Sequence, residues 1–208
     1  EDLEGPPIGR DVPLEHALAR RPADEAHAHA GQLALEVLPA VLEEPLDPEV
    51  VGRRQPVADE ADVVPVLEGY EATVAVAGLN AAGQTVVSGG LADLAKVEAA
   101  FSAKDIKVKA LKVSHAFHSP LMNPILEEFR SVAAEITYAA PQIALISNLD
   151  GKVMSGAPDA EYWVNHVRQA VRFKDGVETA LSMGARVFVE VGPNPTLTGL
   201  VKRISESG

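Results

Sequence analysis

From residue 59 onward the apolar residues recur with two alternating periods, and the switches between them delimit elements. Asp59 to Leu67 has a helical pattern weakened by Pro65, which lacks an amide hydrogen and restricts the residue before it. Ala72 to Ala77 is a β-rich run, Asn80 to Gly83 carries turn residues, and Thr85 to Ser88 resumes the run, so a hairpin is expected. Leu91, Leu94, Ala95, Val97 and Phe101 then fall on one helical face, and Ile106 to Val113 alternates apolar with basic side chains as a half-buried strand does. A helix, two strands, a helix and a strand in that order match most of a small split β-α-β sandwich.

Further along, Ser119 reads as an N-cap and Pro120 as the first helical residue. The hydroxyl can accept from an unpaired amide of the first turn, and proline has no amide to leave unpaired. Leu121, Ile125, Phe129, Val132 and Ile136 follow on one face. Ile143 to Ser147 reads as a buried strand, Asp150-Gly151 as a turn, Ala160 to Gln169 and Lys174 to Met183 as helices. Arg186 to Val191 reads as another strand, which runs into Gly192-Pro193 and a closing helix at Thr196 to Ile204. Strands alternating with helices predict a parallel α/β sheet in this part.

The 208 residues, 47% hydrophobic and 23% charged, suffice for one sizeable core or two small ones. The absence of cysteine closes disulfide, thiolate-metal and cysteine-nucleophile chemistry. No apolar run approaches membrane-spanning length, and the start Glu-Asp-Leu-Glu has neither the basic end nor the apolar segment of a signal peptide. A cytoplasmic location is therefore expected, with no membrane partner. The net charge of −12 argues against nucleic acid, but it is unevenly spread. Residues 1 to 66 carry fifteen acids against five arginines, whereas the remainder is nearly neutral.

That first third also has no Lys, Ser, Thr, Asn, Met or aromatic residue, yet holds nine of the fifteen prolines. It has little from which to build a close-packed core, although Gly31 to Leu42 could form a short helix. Residues 1–58 are therefore read as an atypical, poorly packed acidic segment, either an interdomain linker or a stretch translated out of frame. His16, His27 and His29 lie in it without a further ligand cluster, and are read as solvated rather than as a metal site.

The candidate chemistry lies in KVSHAFHSPLM, residues 112–122. His118 precedes the cap residue Ser119, where the positive end of a helix dipole disfavours an imidazolium and keeps the ring neutral near pH 7. A neutral ring can act as a general base toward a hydroxyl. Spacing alone favours the plainer reading, a histidine that only packs or is solvated at a helix entrance.

Four blocks, in order, resolve that choice: LNAAGQTVVSG at 79–89, VSHAFHSPLM at 113–122, YWVNHVRQAVRF at 162–173 and EVGPNPTLTGL at 190–200. Together they resemble the malonyl-type acyltransferase domains of modular polyketide synthases, which are related to the malonyl transacylases of fatty acid synthesis. The resemblance implies an α/β fold with an α+β insert. It assigns 59–113 to an incomplete ferredoxin-like small subdomain and 114–208 to the C-terminal part of an α/β-hydrolase-like large subdomain. It also implies transfer of a malonyl unit from coenzyme A, through a serine ester, to the phosphopantetheine thiol of an acyl carrier protein, with no bound cofactor and with neighbouring synthase domains as partners. His118 matches the family's catalytic histidine. His115 and Phe117 belong to the block that reports substrate choice, His-Ala-Phe-His accompanying malonyl and Tyr-Ala-Ser-His methylmalonyl. The backbone carbonyl that orients the histidine is expected within Ala170 to Phe173, at Arg172.

The chain also departs from that pattern. It contains no Gly-x-Ser-x-Gly, so the nucleophile that His118 would activate is absent, as are the upstream Gln-rich oxyanion block and the arginine that pairs with the malonyl carboxylate. An isolated chain without transfer activity is the expectation. A non-catalytic carrier-docking module and an unrelated hydrolase-like esterase fragment are the competing readings.

Overall fold

The computed structural model describes residues 51–111, 115–192 and 194–207. The short helix expected at Gly31 to Leu42 and the histidines at 16, 27 and 29 lie outside them. The described part begins with β1 (Val51–Pro56), followed by helix α1 (Glu60–Val63), which tightens into a 3-10 turn at Val64–Val66 where Pro65 sits. Then come β2 (Val74–Ala81), β3 (Gln84–Gly90), α2 (Leu91–Ser102) and β4 (Val108–Leu111). The four strands form one antiparallel sheet in the order β2-β3-β1-β4.

Two expectations need correction here. Residues 51–56, assigned on composition to the acidic segment, form an inner strand of this sheet, so the boundary at 58/59 cuts through it. The small unit is also not short of a strand. The misreading is physical in origin: Arg53, Arg54 and Gln55 give β1 a polar look, yet Arg54 lies along α2 and pairs with Glu98 (2.6 Å) while Val51 and Pro56 are buried. The hairpin is present, but β2 runs on through Asn80, with register shifts at Val76/Gly78 and Leu79/Ala81. The turn narrows to Ala82-Gly83, where Gly83 takes φ +63°.

One face of the sheet buries Val63, Val66, Leu67, Val74, Val87, Leu94, Val97 and Phe101 against α1 and α2. The α2 face is the one its sequence spacing predicts. Gly89 fits here because the backbone passes close by: a Cβ at that position would lie 2.2 Å from the Thr73 carbonyl oxygen and 2.8 Å from Val74 Cα.

The helix expected from Ser119 is split. A 3-10 segment, Pro120–Ile125, precedes α3 (Leu126–Ala134), because Pro124 interrupts the early turns. Helices α4 (Ala160–Arg168), α5 (Phe173–Ser182) and α6 (Leu197–Ser207) follow close to their expected limits. Asp159 caps α4 by accepting the Tyr162 amide (2.7 Å). Met122, Phe129, Val164 and Val167 form a second core between α3 and α4, and Ala81, Val177 and Ile204 a third beneath α5 and α6.

The parallel sheet expected in this half is not found among the described residues. Ile143 to Ser147 makes only a bridge to Val153, and Arg186 to Val191 is unpaired, its valines exposed. A strand requires a neighbour to take its amides and carbonyls; Ile143 to Ser147 finds only the short return at 152–154, and Arg186 to Val191 pairs with no described segment.

The two parts meet at the outer edge of β2. The Leu79 amide donates to the Val171 carbonyl (2.8 Å) and the Val171 amide to the Ala77 carbonyl (3.0 Å), so the linker between α4 and α5 extends the sheet.

The contact at Gly89 makes the fold testable. Gly89→Ala should destabilise the chain by about 1–3 kcal/mol in urea denaturation. Gly156→Ala, where no atom lies within 4 Å, should change it by less than about 0.5 kcal/mol.

Candidate active site

The base block forms a short loop leading into the 3-10 segment. Four hydrogen bonds fix it. The His118 amide donates to the Val167 carbonyl (2.9 Å), and Arg53 Nη2 donates to the Phe117 carbonyl (3.2 Å). Buried Ser119 donates through Oγ to the Ala116 carbonyl (2.6 Å) and accepts from the Leu121 amide (3.3 Å), which confirms it as the cap. Between these anchors His118 adopts φ +62°, a left-handed conformation that costs a non-glycine residue about 1–3 kcal/mol. The anchors on either side hold it there.

The His118 ring sits in an aromatic group. Its centroid lies 6.0 Å from that of His166, edge to face, and 6.4 Å from that of Phe117. Its Nδ1 is buried and reaches no partner in good hydrogen-bonding geometry. Burial pushes its pKa down to about 4, assisted by the nearby positive charge of Arg53 and by His166. The backbone carbonyls of Gln169 and His166 are close enough to favour the protonated ring and offset part of this. The ring is thus neutral at pH 7, as the sequence suggests, but burial comes first among the causes.

Arg172 does not orient His118. Its carbonyl accepts the Gly176 amide (3.1 Å) at the start of α5, and its own amide donates to the Asn148 carbonyl (2.8 Å). Its guanidinium pairs with Asp175 and with Glu60 (3.3 Å), tying α5 to α1. The carbonyls at the base come from the end of α4 instead. A helix leaves its last four carbonyls without helical amides, so the expected end of this helix at Gln169 was the signal that could have located them.

His115 and Phe117 are half-buried with ring centroids 5.3 Å apart. Phe117 also packs on the core of Met122, Phe129, Val164 and Val167, so it staples the loop while standing beside the base. Two neighbours of His118 were not evident from sequence. Arg53 lay in the segment set aside on composition. His166 read as one residue of a structural helix, yet it stacks on Tyr162 at 6.0 Å and has Asn148 Nδ2 3.2 Å from its Nε2.

The chain that holds this half-buried imidazole on its pinned loop has counterparts among known proteins. The sequence profile described as an acyl transferase domain matches residues 48–207. The chain belongs to the acyltransferase domain family. The matched range takes in β1, in agreement with its place in the sheet.

Polyketide synthase GfsA of Streptomyces halstedii is 42% identical over 153 residues, which are 73% of this acyltransferase chain and 2% of that protein. The crystal structure of the acyltransferase domain from the second module of the salinomycin polyketide synthase superposes with a TM-score of 0.79 at 37% identity. It covers 84% of this chain and 41% of that one. The malonyl-CoA:acyl carrier protein transacylase FabD of Xanthomonas oryzae superposes at 0.74 with 27% identity, covering 86% of this chain and 58% of that one. The chain therefore spans a small part of the curated synthase it matches and about half of each solved domain. Like those acyltransferases it has an α/β fold with a small antiparallel sheet. No helix among its described residues is long and apolar enough to cross a membrane.

The electrostatics of His118 carry a pH dependence. Its pKa is 6.5 unperturbed and about 4 in the folded chain, so the unfolded chain binds the proton more readily. The neutral ring's contribution to stability is complete above pH 6.5 and is lost as pH falls toward 4. Proton NMR should show the His118 ring titrating near pH 4, and His118→Asn should flatten the loss of stability across that interval.

Proposed function

We propose that this chain supplies the histidine half of a malonyl-type acyltransferase site in a polyketide synthase. In this reading His118 takes the proton of a serine hydroxyl located outside these 208 residues as that oxygen attacks the thioester carbonyl of malonyl-coenzyme A. The C–S bond breaks, the proton passes from His118 to the departing thiolate, and the malonyl group remains as a serine ester. The phosphopantetheine thiol of an acyl carrier protein then gives its proton to His118 and attacks the ester. Serine recovers the proton as it leaves. No cofactor is needed, coenzyme A enters only as the thioester substrate, and the setting is cytoplasmic.

The observation that carries this reading is the neutral His118 held on the end of α4, a ring able to accept a proton in each half-reaction. Burial and a nearby arginine both oppose a charge on it, so a captured proton is readily given up. In this proposal residues 51–111 are a ferredoxin-like small subdomain, as the order β2-β3-β1-β4 with two helices on one face suggests. Residues from 115 onward are the last part of an α/β-hydrolase-like large subdomain. Neighbouring synthase domains and the carrier protein are the partners.

Substrate choice is assigned to Phe117, with His115 behind it. In this reading the Phe117 ring, whose centroid lies 6.4 Å from that of His118, would fill the space an α-methyl branch needs. Such a steric discrimination is worth about 1–3 kcal/mol.

Two outcomes test the proposal. Incubated with labelled malonyl-coenzyme A and an acyl carrier protein, the isolated chain should give no labelled carrier above the protein-free background, since no serine elbow is present. In an acyltransferase domain carrying this block together with its serine, Phe117→Ser should raise methylmalonyl relative to malonyl transfer by about tenfold or more. An unchanged ratio refutes the steric role.

A further inference from the structure

Alternation along β1 sends its two arginines to opposite faces of the sheet. Arg54 lies along α2 and pairs with Glu98, and a Cβ at Gly52 would sit 2.7 Å from Leu91 Cδ2 on the same side. Arg53 points the other way, onto the base loop. Its Nη2 donates to the Phe117 carbonyl (3.2 Å), the group bonded to the His118 nitrogen. Arg54, Arg130 and Arg172 each hold a carboxylate, whereas Arg53 pairs with none among the described residues. Its Nε is buried and reaches no acceptor. Across the sheet it faces Ser88, a buried hydroxyl that is itself unpartnered, and Leu111, so neither neighbouring strand offers a counter-charge. A guanidinium keeps its proton at any working pH, and half-burying one without an anion is costly.

The other groups around the base do not balance that charge. His166 on α4 is held toward its neutral form by burial, the 3-10 segment at 120–125 has no ionisable residue, and His115 stands beyond Phe117 in the loop. Among the described residues whose charge acts on His118, only Arg53 is permanently ionised.

We propose that Arg53 is an electrostatic positioning residue for the base: unpaired, its charge opposes a proton on His118, and a carboxylate that docks on the guanidinium lifts that opposition. The base is then weak in the empty site and strengthens when an acidic ligand arrives. Coupling is reciprocal, so the protonated ring and the bound carboxylate each favour the other. The inference rests on the functional reading above only in taking His118 as the base.

The test is a proton NMR titration of His118 in the full chain, which requires neither a serine nor transfer. Arg53→Lys keeps the charge, while Arg53→Gln keeps a donor for the Phe117 carbonyl without it. With Arg53→Lys the ring should titrate near pH 4, as in the unaltered chain, and with Arg53→Gln it should move upward toward 6.5. Malonate keeps at least one carboxylate ionised over this interval. Its addition should move the unaltered chain upward, sodium chloride at matched ionic strength should not, and in Arg53→Gln malonate should add nothing. Circular dichroism reports the fold of each variant, and the malonate arm on the unaltered chain stands even if a variant fails to fold.

Equal titration of Arg53→Lys and Arg53→Gln overturns the proposal, since a merely structural contact treats the two alike. So does the lack of any malonate response, or one that chloride reproduces or that persists in Arg53→Gln. If these responses hold but a domain carrying this block with its serine transfers no malonyl group, the functional reading fails and the coupling stands.

Discussion

The end of α4 is where the demands of the backbone and of the chemistry coincide. A helix that stops at Arg168 leaves its final carbonyls without helical partners, and these groups cannot be buried unpaired without penalty. The base loop supplies what they lack: Val167 receives the His118 amide, and the carbonyls of His166 and Gln169 face its ring. The same contacts hold His118 in a backbone conformation it would not adopt alone. Position and orientation of the base thus follow from the termination of one helix, while burial keeps its ring neutral against the pull of those carbonyls. The remaining anchors serve that contact: Asp159 fixes the start of α4, and Arg168 Nε reaches Asn123 Oδ1 (2.9 Å) to hold the helix on the 3-10 segment.

The small sheet is joined to this arrangement at two points. Arg53 reaches from β1 to the Phe117 carbonyl, and β2 takes Val171 as a short fifth strand two residues beyond Gln169. The loop and the helix end are therefore each tied to a different strand of one sheet. A displacement of the sheet would move both sides of the base together rather than open the gap between them.

Much of this was legible in the sequence, and the exceptions have physical reasons. The α2 face, the Ser119 cap and the limits of α4 and α5 follow from local periodicity and end chemistry, which a single chain carries within itself. β1 was missed because an inner strand whose arginines run along neighbouring elements shows no clean alternation. The orienting carbonyls were placed too late in the chain, at Arg172 rather than at His166 and Gln169, since backbone groups leave no mark on residue identity and are found only by asking which carbonyls a helix leaves over. Arg53 and His166 came into view only when separate elements were brought together. The segments at 143–147 and 186–191 show the converse. Their sequences read as strand material, yet neither forms a strand among the described residues, because pairing is a property of two segments and periodicity describes only one.

The sheet also differs from those segments in how its margins are closed. Its β2 margin is occupied by Val171, and its β4 margin is lined by residues that include Lys109, a charge that discourages a second chain from adding there. Val187 to Val189 has neither safeguard. When this chain is made alone in a cell, the stretch that should first attract chaperones, or seed intermolecular β-structure, is therefore the one beside α5 and not the visible sheet.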